Sequence, residues 1–239
     1  MITQRDTTKV EMYNIEDYQE QPLKEFLEGW FKENGRGVTH GSYTTQNRRM
    51  EEVQSYWYIQ NKIEGLALSD ILEWQLVSMR PGASADIMAS FNKPQRTLEI
   101  IFIHPRTWFD SRDLLKLLNP LLDHISPTYG VAYSLKEKGE GRRIEDDASL
   151  ERTDAWEDYY DSPGFKKSAI KDIYSFNILN QEHLERKIEG IPLNQWIKGD
   201  DKRGSLVCLQ KDLTLWEIRR PSSLKKDLRG FINEGWLND

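Results

Sequence analysis

Cysteine is almost absent: the 239-residue chain has one, Cys208. A single thiol excludes an internal disulfide. In the apolar fragment Leu206-Val207-Cys208-Leu209 it reads as a small buried strand residue rather than a nucleophile. Long apolar runs are missing too. The longest, 98–103, is interrupted by Glu99 and is far too short for a membrane span. The first thirteen residues are polar and mixed in charge, without the apolar stretch of a signal peptide, so a cytoplasmic protein with no membrane partner is expected. A basic excess is also lacking. Thirty-three Lys and Arg stand against 39 Asp and Glu, a net charge of −6, which argues against direct nucleic-acid binding.

Catalytic signatures are missing in the same way. There is no P-loop, no dinucleotide-binding glycine turn, no nucleophile elbow and no zinc-type pairing of His or Cys. Gly35-Arg36-Gly37 is too short to cradle a phosphate. The four histidines, His40, His104, His124 and His183, are well separated. His104 ends an apolar strand pattern, where a hydrogen-bonded structural imidazole is expected. His183 falls in the first turn of a helix, a poor place for a cation and an ordinary one for a neutral surface ring. No catalytic residue, cofactor or resident metal is expected on these grounds.

What is present is aromatic and well patterned. Eight Trp and ten Tyr, with 11% aromatic residues overall, are too many for a disordered chain, and 239 residues bury a real core without staples. Leu23, Phe26, Leu27, Trp30 and Phe31 form a helical stripe that Gly35 is placed to stop. Tyr56, Trp57, Tyr58 and Ile59 suggest a strand or a packed loop. Leu72, Trp74 and Leu76 alternate with polar residues as in a half-buried strand, and 87–91 is a second strand. The 98–103 run is apolar enough for a central strand covered on both faces. Asp110 or Ser111 caps a helix bearing Leu114, Leu118, Leu121, Leu122 and Ile125, which Pro120 should kink or divide. Val131, Tyr133 and Leu135 make a fourth strand. The order β-β-β-α-β predicts an α+β fold with a mostly antiparallel sheet.

The C-terminal third repeats that style. Residues 173–178 read as a strand, and Asn180 caps a short helix with Leu184 and Ile188 that Gly190 ends. Leu193, Trp196 and Ile197 share another short face. Two strands flank Gln210-Lys211-Asp212 as a hairpin, and Pro221 opens a last helix bearing Leu224, Leu228, Phe231 and Ile232. The expected organisation is two small, mostly antiparallel sheets with helices packed on them. An N-terminal helix plus first unit spans 1–136, a connection spans 137–166, and a second unit spans 167–239, all three able to pack as one body.

The connection is the strongest site candidate. Carboxylates of Glu145, Asp146, Asp147, Asp154 and Asp158 surround Trp156, Tyr159 and Tyr160. Many carboxylates interleaved with large aromatics have the composition of a partner-binding face for a basic protein. The same carboxylates lack the spacing and central glycine of a calcium loop, and the aromatics have a second reading, as pins holding the connection to the body.

The C-terminal third also carries a family likeness. Asp172-Ile173-Tyr174-Ser175-Phe176-Asn177-Ile178-Leu179-Asn180, then His183-Leu184, then Gly190-Ile191-Pro192-Leu193-Asn194-Gln195-Trp196-Ile197, precede a strand with Leu215-Trp216 and a Gly235-Trp236-Leu237 ending. This arrangement resembles the immunity proteins of bacterial polymorphic-toxin and type VI secretion systems, closest to the immunity protein 52 group. The resemblance implies a non-catalytic protein that binds and neutralises a cognate toxin domain in the producing cell. An acidic inhibitor suits a basic toxin. Two other classes remain open: an enzyme with a spatially assembled acidic and His site, and an adaptor of phage or secretion origin.

Overall fold

In the computed structural model the described residues are 6–34, 37–46, 54–63, 70–79, 85–104, 111–138, 142–145, 160, 166, 168–225, 227–228 and 231–232. They form an α+β fold around one large antiparallel sheet. The N-terminal block supplies β1 (Asp6–Tyr13), α1 (Glu20–Asn34), β2 (His40–Thr45), β3 (Gln54–Ser55), α2 (Tyr56–Ile63), β4 (Ile71–Met79), β5 (Ala85–Asn92), β6 (Thr97–His104), α3 (Ser111–Leu121), β7 (Tyr129–Lys138) and β8 (Arg142–Glu145). The C-terminal block adds β9 (Phe176–Leu179), α4 (Gln181–Glu185), β10 (Lys187–Ile188), β11 (Ile191–Pro192), α5 (Leu193–Lys198), a 3-10 turn at Asp201–Arg203, β12 (Ser205–Cys208), β13 (Thr214–Glu217) and α6 (Pro221–Leu224).

The strand order is β12-β13-β9-β7-β1-β6-β5-β4-β2-β3, with β8 beside β7, and a separate two-stranded hairpin of β10 and β11. The strands of the two blocks are therefore continuous in one sheet. The junction is β7, which pairs with β1 on one side and with β9 on the other. Gly130 sits at this junction. A β-carbon there would lie 2.9 Å from the Glu11 carbonyl oxygen and 2.7 Å from the Met12 sulfur, so a side chain would force the strands apart. The hairpin of β10 and β11 turns through Glu189 (φ 51°) and Gly190 (φ 84°), the left-handed pair that a two-residue turn requires.

Alternation along the strands sorts the side chains onto two faces. One face carries Val10, Met12, Leu98, Ile100, Ala89, Phe91, Leu76 and Trp74 and is packed along its length by helices. Leu23, Leu27 and Phe31 of α1 and Leu114, Leu117, Leu118 and Leu121 of α3 bury their stripes there. Pro120 is the penultimate residue of α3, so it marks the helix end rather than a mid-helix kink. The other face is covered only in part. Over β1, β7, β9 and β13 it meets a second core built from Ile170, Ile173, Tyr174, Leu193, Trp196, Leu228 and Phe231 around Trp216.

Several expectations are corrected. Residues 56–63 form a helix, because Tyr56 and Ile59 are spaced for one face: Ile59 is buried, and the Tyr56 hydroxyl donates to Glu28 of α1. Residues 173–175 are irregular, with Ile173 and Tyr174 buried and Ser175 half-buried, and the strand starts at Phe176. Cys208 is exposed, because β12 is an edge strand with half-buried Leu206 and Val207. The 98–103 run is covered on one face only: Leu98 and Ile100 are buried, whereas Ile101 is half-buried and the Glu99 side chain is 33% exposed. Gly35, Asp110 and the 235–237 ending lie outside the described residues.

Candidate partner-binding surface

Antiparallel register turns distant residues into rows across the sheet. On the partly covered face one row runs Leu206, Trp216, Asn177, Val131 and Glu11, and continues through Glu99, Ser90, Gln75 and Ser42. Its first half is buried under the C-terminal block. Trp216 donates its indole N–H to the Arg203 carbonyl at 2.7 Å, and Asn177 ties both its amide ends to the Tyr174 backbone at 2.8 and 3.0 Å. Its second half is polar and only partly covered. The adjacent row holds Lys9, Ile101, Met88, Val77 and His40, and ends at Ser55 on the sheet edge.

Charged groups mark the boundary between the halves. Glu11 is buried on β1 and accepts from Tyr133 Oη at 2.9 Å and Lys171 Nζ at 3.2 Å. Its other oxygen lies 3.0 Å from Lys9 Nζ, which also reaches Glu99 at 2.7 Å. Burial alone would push the Glu11 carboxyl up, but the Lys171 and Lys9 ammonium groups reverse this and hold it down at about 2. Burial likewise opposes the Lys9 charge, and Glu11 and Glu99 more than offset it, raising Lys9 above its ordinary value. Lys171, 2% exposed, also bonds the Tyr13 hydroxyl at 3.2 Å. Next to it Asp172 accepts from the Ile173 amide at 2.7 Å and pairs with Lys225 at 3.1 Å. Buried charges paired in this way join the C-terminal segment to β1 and β7, and their inaccessibility makes them structural.

The three histidines with described side chains fall into ordinary packing roles. His183 is fully buried rather than on the surface, in a capping box with Asn180, because the ring must reach the chain entering β9. Its Nε2 lies 3.1 Å from the Ala169 carbonyl and so carries the proton of a neutral ring. Burial lowers its pKa to about 4, with Arg186 adding to the effect. His124 packs against the Phe26 ring at 5.4 Å, and half-buried His40 sits 3.0 Å from the Thr39 hydroxyl. The side chain of His104 lies outside the described residues.

Of the acidic-aromatic candidates, Tyr160 is placed. Its hydroxyl accepts from the Asn14 amide at 2.7 Å and donates to the Gln95 carbonyl at 2.6 Å, and its ring meets Tyr13 edge-on at 5.5 Å. Tyr160 thus pins the connection to the turn after β1 and the β5–β6 hairpin. Glu145 ends β8, with its side chain outside the described residues, where Asp146, Asp147, Asp154, Trp156, Asp158 and Tyr159 also lie. The open half of the sheet face had no signal in any one segment, since Glu99, Ser90, Gln75 and Ser42 become neighbours only through register. Trp57, 74% exposed on α2, is a second residue that patterning did not single out. Among the described residues no group of three or more His, Cys, Asp or Glu is placed to hold a metal ion, and no helix is long and apolar enough to cross a membrane.

Comparison with known proteins gives a fold neighbour. Neither a described protein family nor a curated protein matches the sequence. Among solved structures, the Pseudomonas aeruginosa T6SS protein PA0821 is similar with a TM-score of 0.60, over 94% of this chain and 76% of that one, at 12% sequence identity. At that identity the likeness is one of fold.

Proposed function

We propose that this chain is a non-catalytic immunity protein that binds a cognate toxin domain, basic in charge, and neutralises it in the cytoplasm of the producing cell. The observation that carries this reading is the fold shared with a T6SS protein over 94% of the chain, which accords with the type VI immunity resemblance of the C-terminal third. The chemistry supports it. Glu11, Lys171, Asp172 and His183 are each held by structural partners, which leaves them unsuited to turnover. The net charge of −6 favours capture of a basic partner, by steering its approach.

The test is co-expression with the toxin-like domain encoded beside the gene, in a laboratory host that the toxin arrests. The reading expects restored growth and a stoichiometric complex on size exclusion. Protection without a complex would point instead to enzymatic inactivation. A complex with a secreted component that leaves growth arrest untouched would point to an adaptor.

A further inference from the structure

The sheet buries one face from end to end and the other only over half its width. The half over β6, β5, β4, β2 and β3, roughly 20 Å across at the usual strand spacing, has no covering layer among the described residues and keeps Ile101, Met88, Glu99, Ser90, Gln75 and Glu73 only half-buried. Its composition is that of an interface rather than of a solvated sheet. Half-buried Ile101 and Met88, next to buried Val77, form an apolar strip, flanked by the polar row of Glu99, Ser90 and Gln75. Met88, which accepts from the Gln75 amide at 3.2 Å, gives the strip an adaptable centre.

Charge says which partner fits. The surface presents the carboxylates of Glu73 and Glu99. Glu73 is oriented by the Ser90 hydroxyl at 3.1 Å, and Lys9 is already held between Glu11 and Glu99. We infer that this half-face, from Glu99 through Met88 to Gln75 and Glu73, is the surface on which a basic toxin domain docks. Glu73 and Glu99 meet its cationic side chains, and the Met88 strip takes its apolar ones. The inference rests on the toxin-binding reading above and adds the surface.

The experiment uses the full chain and the purified toxin domain. Glu73→Arg and Met88→Lys are compared with wild type and with Glu182→Arg, which alters an exposed carboxylate on the C-terminal block. Melting temperature, oligomeric state by light scattering, and binding kinetics at two salt concentrations are measured. The proposal expects monomeric wild type and variants that melt like it. Glu73→Arg then weakens binding at least tenfold through slower, salt-sensitive association, and Met88→Lys does so through faster dissociation, while Glu182→Arg binds within about twofold of wild type. Wild-type protection with all variants binding normally overturns the surface and leaves the immunity reading standing. Wild type that neither binds nor protects overturns the immunity reading itself. Variants that lose their melting transition would mean the face is occupied by the chain's own packing. A wild-type dimer that Met88→Lys dissociates would mean a second copy occupies it. Either result overturns toxin docking.

Discussion

One sheet carries two kinds of surface on the same face. Over β1, β7, β9 and β13 the row Val131, Asn177 and Trp216 is roofed by the C-terminal block, every polar atom named there is bonded, and Tyr133 stacks on Tyr174 at 4.5 Å. Over β6, β5, β4 and β2 the same row continues as Glu99, Ser90 and Gln75 with no such roof among the described residues. Backbone pairing is continuous through both halves, with register shifts only at Thr44/Thr45 and Ser78/Met79 near strand ends of the open half, so hydrogen-bonded sheet is not what separates them. The difference lies in what the outward side chains are asked to do. In the roofed half they hold two chain segments together; in the open half they are half-buried and remain in partial reach of water.

Substitutions in the two halves should therefore have opposite signatures. The largest stability loss is expected for Trp216→Ala, which empties a fully buried indole site and orphans the Arg203 carbonyl, about 4 kcal/mol by denaturant unfolding. Lys171→Met should cost about 3 kcal/mol, because Glu11 keeps a buried charge with its main partner gone. Adding Glu11→Leu to it should recover part of that loss in a double-mutant cycle, since the uncompensated charge is then removed. Acid should act on the roofed half next. His183 binds a proton near pH 6.5 when unfolded but only near 4 when folded, so stability is complete above 6.5 and falls as pH drops toward 4, by on the order of 3 kcal/mol. Glu11 acts in the same direction lower down, its contribution lost as pH falls from 4.5 toward 2. A His183→Gln variant should flatten the upper part of this titration. The smallest effect is expected in the open half, where Ser90→Thr should shift stability by no more than about 0.5 kcal/mol. A large loss there would erase the contrast.

Periodicity made the helices at 20–34 and 111–121 and the strands β4 to β7 legible, because each carries an apolar stripe of the right spacing. It failed where tertiary context decides. The 98–103 run looked doubly buried, yet its single carboxylate, Glu99, marked the face that stays open. Ile173 and Tyr174 are as apolar as a strand, but their amides donate to the Asp172 and Asn177 side-chain oxygens, which holds the segment irregular. The continuity of the two sheets was invisible, since the pairing of β7 with β9 joins residues almost fifty positions apart through Gly130 and Ile178. The candidate surface was hidden for the same reason, as register alone assembles Glu99, Ser90 and Gln75. Tyr160 was singled out from composition, and its place against Asn14 and Gln95 shows it pinning the connection to the body.

The most direct measurement of the contrast is cross-saturation NMR on methyl-labelled protein with its toxin domain bound. Saturating the toxin should attenuate the Met88 and Ile101 methyls of the open half and leave those of Leu206 and Ile191, on the C-terminal block, unchanged. Attenuation confined to Leu206 and Ile191, with Met88 and Ile101 silent, would contradict the account.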